Sequence, residues 1–325
     1  MTIAWVVGAG GLLGRALVQE LQSQGTRIHL PRERFVWTDE NRLAHQFAAS
    51  VDEFAREAEA AGRWELYWAA GSSGMGSSEA VLAAETRVLT CFLEALCALP
   101  GLAQLPRAFL LASSAGSIYA GSTEAIITEA TEPAPTTPYA RGKLAQERLV
   151  RESFLARAGC PILLARLSTL YGPGQAHGKP QGLIAHIARS VLRHRAVQIY
   201  VPLDTVRDYI DAGDAARIMI ASLRSLPPGS PPTIKIVASQ CPTTVSEILG
   251  VFRRTCRQRL MYTTSRDAAT PLYSGLSRFQ SHVFPEHASL ARTTIAVGIP
   301  RLLEAERAVL TLGPHHTAAG RTATS

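Results

Sequence analysis

The sequence predicts an α/β fold built on a doubly wound parallel sheet, and three observations predict it. Short, wholly apolar runs recur through the first half of the chain, stretches of helical period separate them, and the first run opens directly into a cluster of glycines. The 325 residues suffice for one large α/β domain or for a domain carrying a substrate-binding extension. With 46% hydrophobic and 18% charged residues and no low-complexity tract, the composition excludes a disordered chain, a collagen and a coiled coil.

Residues 3–7 (IAWVV) read as a buried strand. It ends in GAGGLLG, and Leu13, Leu17 and Leu21 follow at helical spacing as far as Gly25. Further buried strands are expected at 26–30, 65–69, 108–112 and 161–166, and helices at 79–98 and 183–194. After residue 170 the rhythm changes to loops rich in Gly and Pro, and 313–325 read as a flexible tail. No basic leader or cleavage site precedes the first apolar run, and nowhere do eighteen apolar residues follow one another. Five scattered cysteines without a CxxC pair fit reduced thiols, and no metal site is expected. A cytoplasmic protein without a membrane span is the expectation.

The formal charge of +7 is unevenly spread. Residues 1–150 carry 12 Lys and Arg against 16 Asp and Glu, whereas residues 151–325 carry 21 against 10. The basic half holds arginine clusters at 189, 193 and 195 and at 253, 254, 257 and 259. They lack interleaved aromatics for base stacking, and only 6% of the chain is aromatic, which argues against nucleic acid. A phosphorylated small molecule or a solvated basic face fits better.

Gly8, Gly10, Gly11 and Gly14 follow a strand and precede a helix, the context in which glycines let backbone approach a pyrophosphate resting on a helix N-terminus. Gly8, Gly11, Leu12, Leu13, Gly14 and the later Ala70 are the candidate cofactor contacts. Eighteen residues beyond the last glycine, where an acidic residue would take the NAD ribose, stands Arg32, so NADP is favoured over NAD. The alternative is that Arg32 points to solvent and Glu33 serves the ribose. Downstream, Tyr139 and Lys143 lie four apart on one helix face, and the cation is expected to lower the phenol's pKa and make it a usable acid/base. A serine-rich segment at 112–121 supplies a hydroxyl for the substrate oxygen.

GAGGLLG (8–14), AAG (69–71), SSAGSIYAG (113–121), YARGK (139–143), RLSTLYGPGQ (166–175) and RDYIDAGDAA (207–216), in this order and spacing, resemble the extended short-chain dehydrogenase/reductase family. These are NAD(P)-dependent nucleotide-sugar epimerases, dehydratases and reductases, and the resemblance covers roughly residues 3–250. It implies a Rossmann-type domain (1–170, joined by 208–238) with a smaller C-terminal α/β substrate-binding domain (171–207 and 239–312), and a homodimer through helices that include the Tyr139 helix. It also implies Tyr139 as catalytic acid/base and Lys143 as the residue that binds the nicotinamide ribose. The catalytic hydroxyl usually falls where this chain has Ala115, so Ser114 is taken for it, with Ser113 and Ser117 as rivals or substrate contacts. Arg207 resembles an arginine that grips a nucleotide diphosphate, whereas Thr169 replaces a phosphate-contacting Asn. Asp208, Asp211 and Asp214 are expected to fix turns and a helix start.

Departures narrow the chemistry. Sugar 4,6-dehydratases carry Asp-Glu directly after the hydroxyl, where this chain has Ala115 and Gly116. The thiol of the GDP-fucose synthase type is replaced by Ser117, and His177 and His186 miss the expected histidine. The reading that remains is an NAD(P)-dependent epimerase or reductase of a nucleotide sugar. Its alternatives are an NADP-dependent reductase of a non-nucleotide carbonyl compound, suggested by Thr169, and a non-catalytic dinucleotide-binding protein.

Overall fold

A computed structural model of the chain describes residues 1–155, 159–175, 182–256, 260–265 and 278–312. Its first part runs β1 (Ile3–Val7), α1 (Leu12–Ser23), β2 (Arg27–Ile28), α2 (Glu40–Ala61), β3 (Trp64–Trp68), α3 (Glu79–Cys97), α4 (Pro100–Gln104), β4 (Arg107–Ser114), α5 (Ala115–Ile118), α6 (Pro138–Leu155) and β5 (Ile162–Leu167). There follow β6 (Thr169–Tyr171), α7 (Leu183–Leu192), β7 (Val197–Ile199), β8 (Val206–Asp211), α8 (Ala212–Ser225), β9 (Thr233–Val237) and β10 (Pro242–Thr244). The described chain ends with α9 (Val245–Cys256), β11 (Tyr262–Thr264), a 3-10 turn (Pro285–Leu290) and α10 (Ile295–Leu312).

Among the described residues six strands form one all-parallel sheet in the order β2-β1-β3-β4-β5-β9. Strand β1 is the turning point, since the chain steps outward to β2 and returns on the other side with β3. Ligand crevices of such sheets lie there, outside the carboxyl ends of the strands. The strand expected at 26–30 shrinks to two residues. His29 still donates its amide to the Ala4 carbonyl at 2.8 Å, but Pro31 has no amide with which to continue the ladder.

Alternation along the strands builds two cores. Ile3, Trp5, Trp64, Leu66 and Phe109 face α2, α3 and α6, where Phe47, Phe54 and Phe92 complete an aromatic-rich layer. Ala4, Ala108 and Ala165 face α1 and α8, whose Ala16, Ala215 and Ala216 let the helices approach closely. A third core joins the small sheets β10-β8-β6 and β11-β7 to α7, α9 and α10 around Tyr209, Ile187, Ile199, Phe252 and Leu302. No described helix is long and apolar enough to cross a membrane.

Residues 278–293, expected from sequence to belong to the substrate part, pack against the parallel sheet. Ile127 bridges Phe279, and Phe284, Leu290 and Ala291 pack on the α8 side of the sheet. The physical cause is polar. The buried Lys235 ammonium of β9 donates to Ser281 Oγ (2.7 Å) and the Val283 carbonyl (2.5 Å), while Glu129 accepts the amides of Ile236 (2.9 Å) and His282 (2.8 Å). The tail at 313–325 lies outside the described residues.

Helix α6 is held to the sheet by charge. Its fully buried Glu147 takes a bidentate bond from Arg166 of β5 (2.9 and 2.7 Å) and a bond from Ser113 Oγ of β4 (2.6 Å), and Arg166 also donates to the Tyr119 hydroxyl. Removing one partner strands a buried cation. Glu147→Ala is therefore expected to lower stability by about 3–5 kcal/mol, read as a lower urea midpoint, with Glu147→Gln losing less.

Candidate active site

The glycine turn meets steric demands that only glycine satisfies. Gly8 has φ +92°, and a Cβ there would stand 2.6 Å from the Ala70 amide nitrogen. A Cβ on Gly14 would run into the Gly8 carbonyl, whereas Gly10 faces open space. Helix α1 begins at Gly11 with no capping side chain and no acidic residue in its first turn, so its amides are left to an anion. These features fit a dinucleotide pyrophosphate. Leu13 is buried and serves the core with its side chain, so only its backbone is available to a cofactor, while Leu12 and Ala70 are half-buried.

Arg32 enters this region as half of an ion pair, since its Nε lies 2.7 Å from Glu53 Oε1 of α2. The guanidinium is 81% exposed and already partnered, so it is not the uncommitted cation on which the preference for NADP rested. A residue that the sequence reading overlooked, Arg15, donates to the Gly10 carbonyl (2.8 Å) and to the carbonyl of Gly174 in the loop after β6. It thereby ties the glycine turn to the second part of the chain.

At the carboxyl ends of β3 and β4 the structure brings Ser114, Tyr139 and Lys143 together. Pro138 starts α6, and the Thr137 hydroxyl accepts the Ala140 amide (3.2 Å), which fixes Tyr139 in the first turn. Ser114, the last residue of β4, lies close enough to the Tyr139 phenol to favour its ionised form. The Lys143 ammonium is buried, lies 5.7 Å from the centre of the Tyr139 ring and donates to Gln146 Oε1 (3.0 Å). The expected lowering of the phenol is corrected by its surroundings. Burial and then the Glu85 carboxylate push Tyr139 up to about 12, and only the Ser114 hydroxyl pulls the other way. Burial likewise holds Lys143 below its ordinary value, opposed by Glu85 and Glu147. Within the protein's own field Tyr139 is a proton donor at neutral pH.

Two of the expected hydroxyls lie away from the phenol or are buried. Ser113 points to the opposite face of β4 from Ser114 and is spent on Glu147, while Ser117 is buried in α5. Ala115 is also fully buried, which leaves Ser114 at the phenol. Thr169 and Arg207 stand on neighbouring strands of the three-stranded sheet, Thr169 opposite Tyr209 and Arg207 opposite Thr243. Asp211 caps α8 through the Gly213 amide (2.9 Å), Asp208 binds the Ser239 amide (2.9 Å), and Asp214 accepts the Thr293 amide (2.6 Å). Arg189 of the basic cluster is paired with Glu306 (3.0 Å) and also holds the Gln175 carbonyl (2.8 Å). Arg257, Arg259 and His177 lie outside the described residues. Glu85 was missed although the sequence held a signal for it, a carboxylate placed on the apolar stripe formed by Leu82, Leu89, Phe92 and Leu96.

A sequence model of the NAD dependent epimerase/dehydratase family matches residues 4–236. Over 98 residues the chain is 34% identical to the dTDP-L-rhamnose 4-epimerase of Burkholderia thailandensis, covering 30% of this chain and 27% of that protein. Over 145 residues it is 27% identical to the UDP-glucuronate 4-epimerase of Thermodesulfobacterium geofontis, covering 45% and 43%. The matches thus span less than half the length of these relatives. Among solved structures, the UDP-glucose 4-epimerase of Thermotoga maritima with UDP-glucose superposes at a TM-score of 0.74 and 17% identity, over 96% of this chain and 100% of that one. MoeE5 in complex with UDP-glucose and NAD gives 0.75 and 21%, over 96% and 100%. These structures share the fold, and the matched family, with its glycine turn and its Tyr139 and Lys143 in place, identifies the chain as a member of the NAD dependent epimerase/dehydratase family.

Proposed function

We propose that the protein is an NAD-dependent epimerase acting at a carbinol carbon of a nucleotide sugar. The observation that carries this reading is the Tyr139 phenol beside Ser114, one helical turn from Lys143, at the sheet end that also presents the glycine turn. Ser114 and Tyr139 hold the reacting oxygen, and Tyr139, as its phenolate, accepts the carbinol proton as the carbon becomes a ketone and returns it afterwards. Lys143 keeps a positive charge beside the phenol. A nicotinamide held by the glycine turn and Lys143 would supply the hydride acceptor and donor, and its positive charge when oxidised would favour the Tyr139 phenolate that the protein alone disfavours. After β4 there is no carboxylic acid to eliminate water, since Ala115 and Gly116 follow Ser114. Dehydration therefore has no acid/base pair, and a sugar returned unreduced at the same carbon is the product that fits.

The relatives named for dTDP- and UDP-sugars support that substrate class, and the engaged Arg32 supports NAD over NADP. The diphosphate is assigned to Arg207 and the neighbouring Thr169. Helices α3 and α6 pack side by side with Cys91, Ala95 and Leu149 only partly covered, which supports a homodimer through this flank. Five free cysteines support a cytoplasmic setting.

Incubation with NAD and a panel of UDP- and dTDP-hexoses, followed by proton NMR, is expected to yield the C4 epimer without net NADH or a 4-keto-6-deoxy product; inactivity on every nucleotide sugar would sink the proposal. Tyr139→Phe is expected to lower kcat by roughly 10²–10⁴-fold while sugar binding stays within a few-fold. Gly8→Ala is expected to abolish NADH binding, read by fluorescence titration, because its Cβ must displace the Ala70 backbone.

A further inference from the structure

Glu85 is the one carboxylate that bears on both Tyr139 and Lys143 among the described residues, and the mechanism above gives it no task. Its Oε1 accepts the amides of Ser72 (2.6 Å) and Ser73 (2.7 Å), and its Oε2 accepts the Ser73 hydroxyl (2.7 Å). The Glu85 carboxylate and the Lys143 ammonium both approach within 4 Å of the point where a Cβ on Gly71 would lie, so they share one corner of the crevice. No arginine or lysine pairs with Glu85 among the described residues, whereas Glu147, the other carboxylate near Lys143, is neutralised by Arg166. Burial alone would raise the Glu85 carboxyl; the Ser73 hydroxyl, the Lys143 charge and the two serine amides outweigh it and hold the carboxyl below its ordinary range. The charge is therefore present at neutral pH.

We propose that Glu85 is a positioning residue of the catalytic site. Its carboxylate anchors the 71–74 loop and sets a fixed negative charge beside Tyr139 and Lys143, so that the oxidised, cationic dinucleotide is held more tightly than the reduced, neutral one. This rests on the reading of Tyr139 and Lys143 as the catalytic pair. A carboxylate facing a cation across a partly exposed corner favours the charged state of that cation, and the two redox forms of nicotinamide differ by one positive charge. The preference would keep the cofactor ready for the oxidising half of an epimerisation.

The test compares the affinities of NAD and NADH, without any sugar, in the full chain. Glu85→Gln removes the charge and keeps an acceptor oxygen for the Ser72 and Ser73 amides, while its NH2 can donate to a reoriented Ser73 hydroxyl. It is expected to lower the ratio of NAD to NADH affinity by about three- to ten-fold, while Glu85→Asp keeps the wild-type preference. Glu79→Gln, which removes an exposed charge at the start of the same helix, is expected to leave the ratio unchanged. Should Gln not fold at position 85, Asp and Asn there make the same comparison. A ratio unchanged within two-fold, or equal losses for both forms, would overturn the proposal and leave Glu85 a loop anchor. A wild-type chain that binds neither form sinks this proposal and the proposed function together. Binding with the expected ratio but no turnover of nucleotide sugars would remove the substrate class alone.

Discussion

The geometry of the catalytic helix depends on the buried pair between Glu147 and Arg166. Tyr139, Lys143 and Glu147 follow one another at intervals of four, so they form a single row along α6. The last member of the row is clamped to β5, and through Ser113 to β4, at distances of 2.6–2.9 Å. Two charges taken out of water are tolerated only in such a fully bonded arrangement, which admits little rotation or sliding of the helix. The ammonium and phenol one and two turns earlier inherit that precision, and Ser114, on the strand that carries Ser113, inherits the same frame.

What was legible in the sequence was local. The glycine turn and the Tyr139–Lys143 pair are spacings within one turn or one helix, and the strand runs at 3–7, 65–69, 108–112 and 161–166 bury both faces, so each left a plain signal. The choice among Ser113, Ser114 and Ser117 was not legible with certainty, because it turns on the phase of a period of two along β4 and on a partner, Glu147, thirty-four residues away. The return of residues 278–293 was hidden for a similar reason: it is fixed by a lysine buried in β9 and a glutamate in the loop before α6. Long-range polar contacts of this kind leave no periodicity to read.

The surplus of positive charge in the second half also has a structural meaning that composition could not disclose. Arg189 is bound to Glu306 and to the loop after β6, and the same loop is grasped from the other side by Arg15 of the first half. Arg224 bridges to Glu65, a carboxylate of the acidic half. Part of the imbalance is thus settled between the two halves of the molecule, and the arginines knit together segments that the strand and helix patterns treat as separate.

Both margins of the parallel sheet are finished in ways that bear on how the protein behaves in a crowded cell. On one margin β2 offers only two residues before a proline intervenes. On the other, a free amide of β9 is sealed by Glu129, and a charged lysine is folded inward beneath it. Among the described residues, the brevity of β2 and the covered amide and inward lysine of β9 shorten the edge on which a stranger's strand could dock, which disfavours edge-to-edge polymerisation.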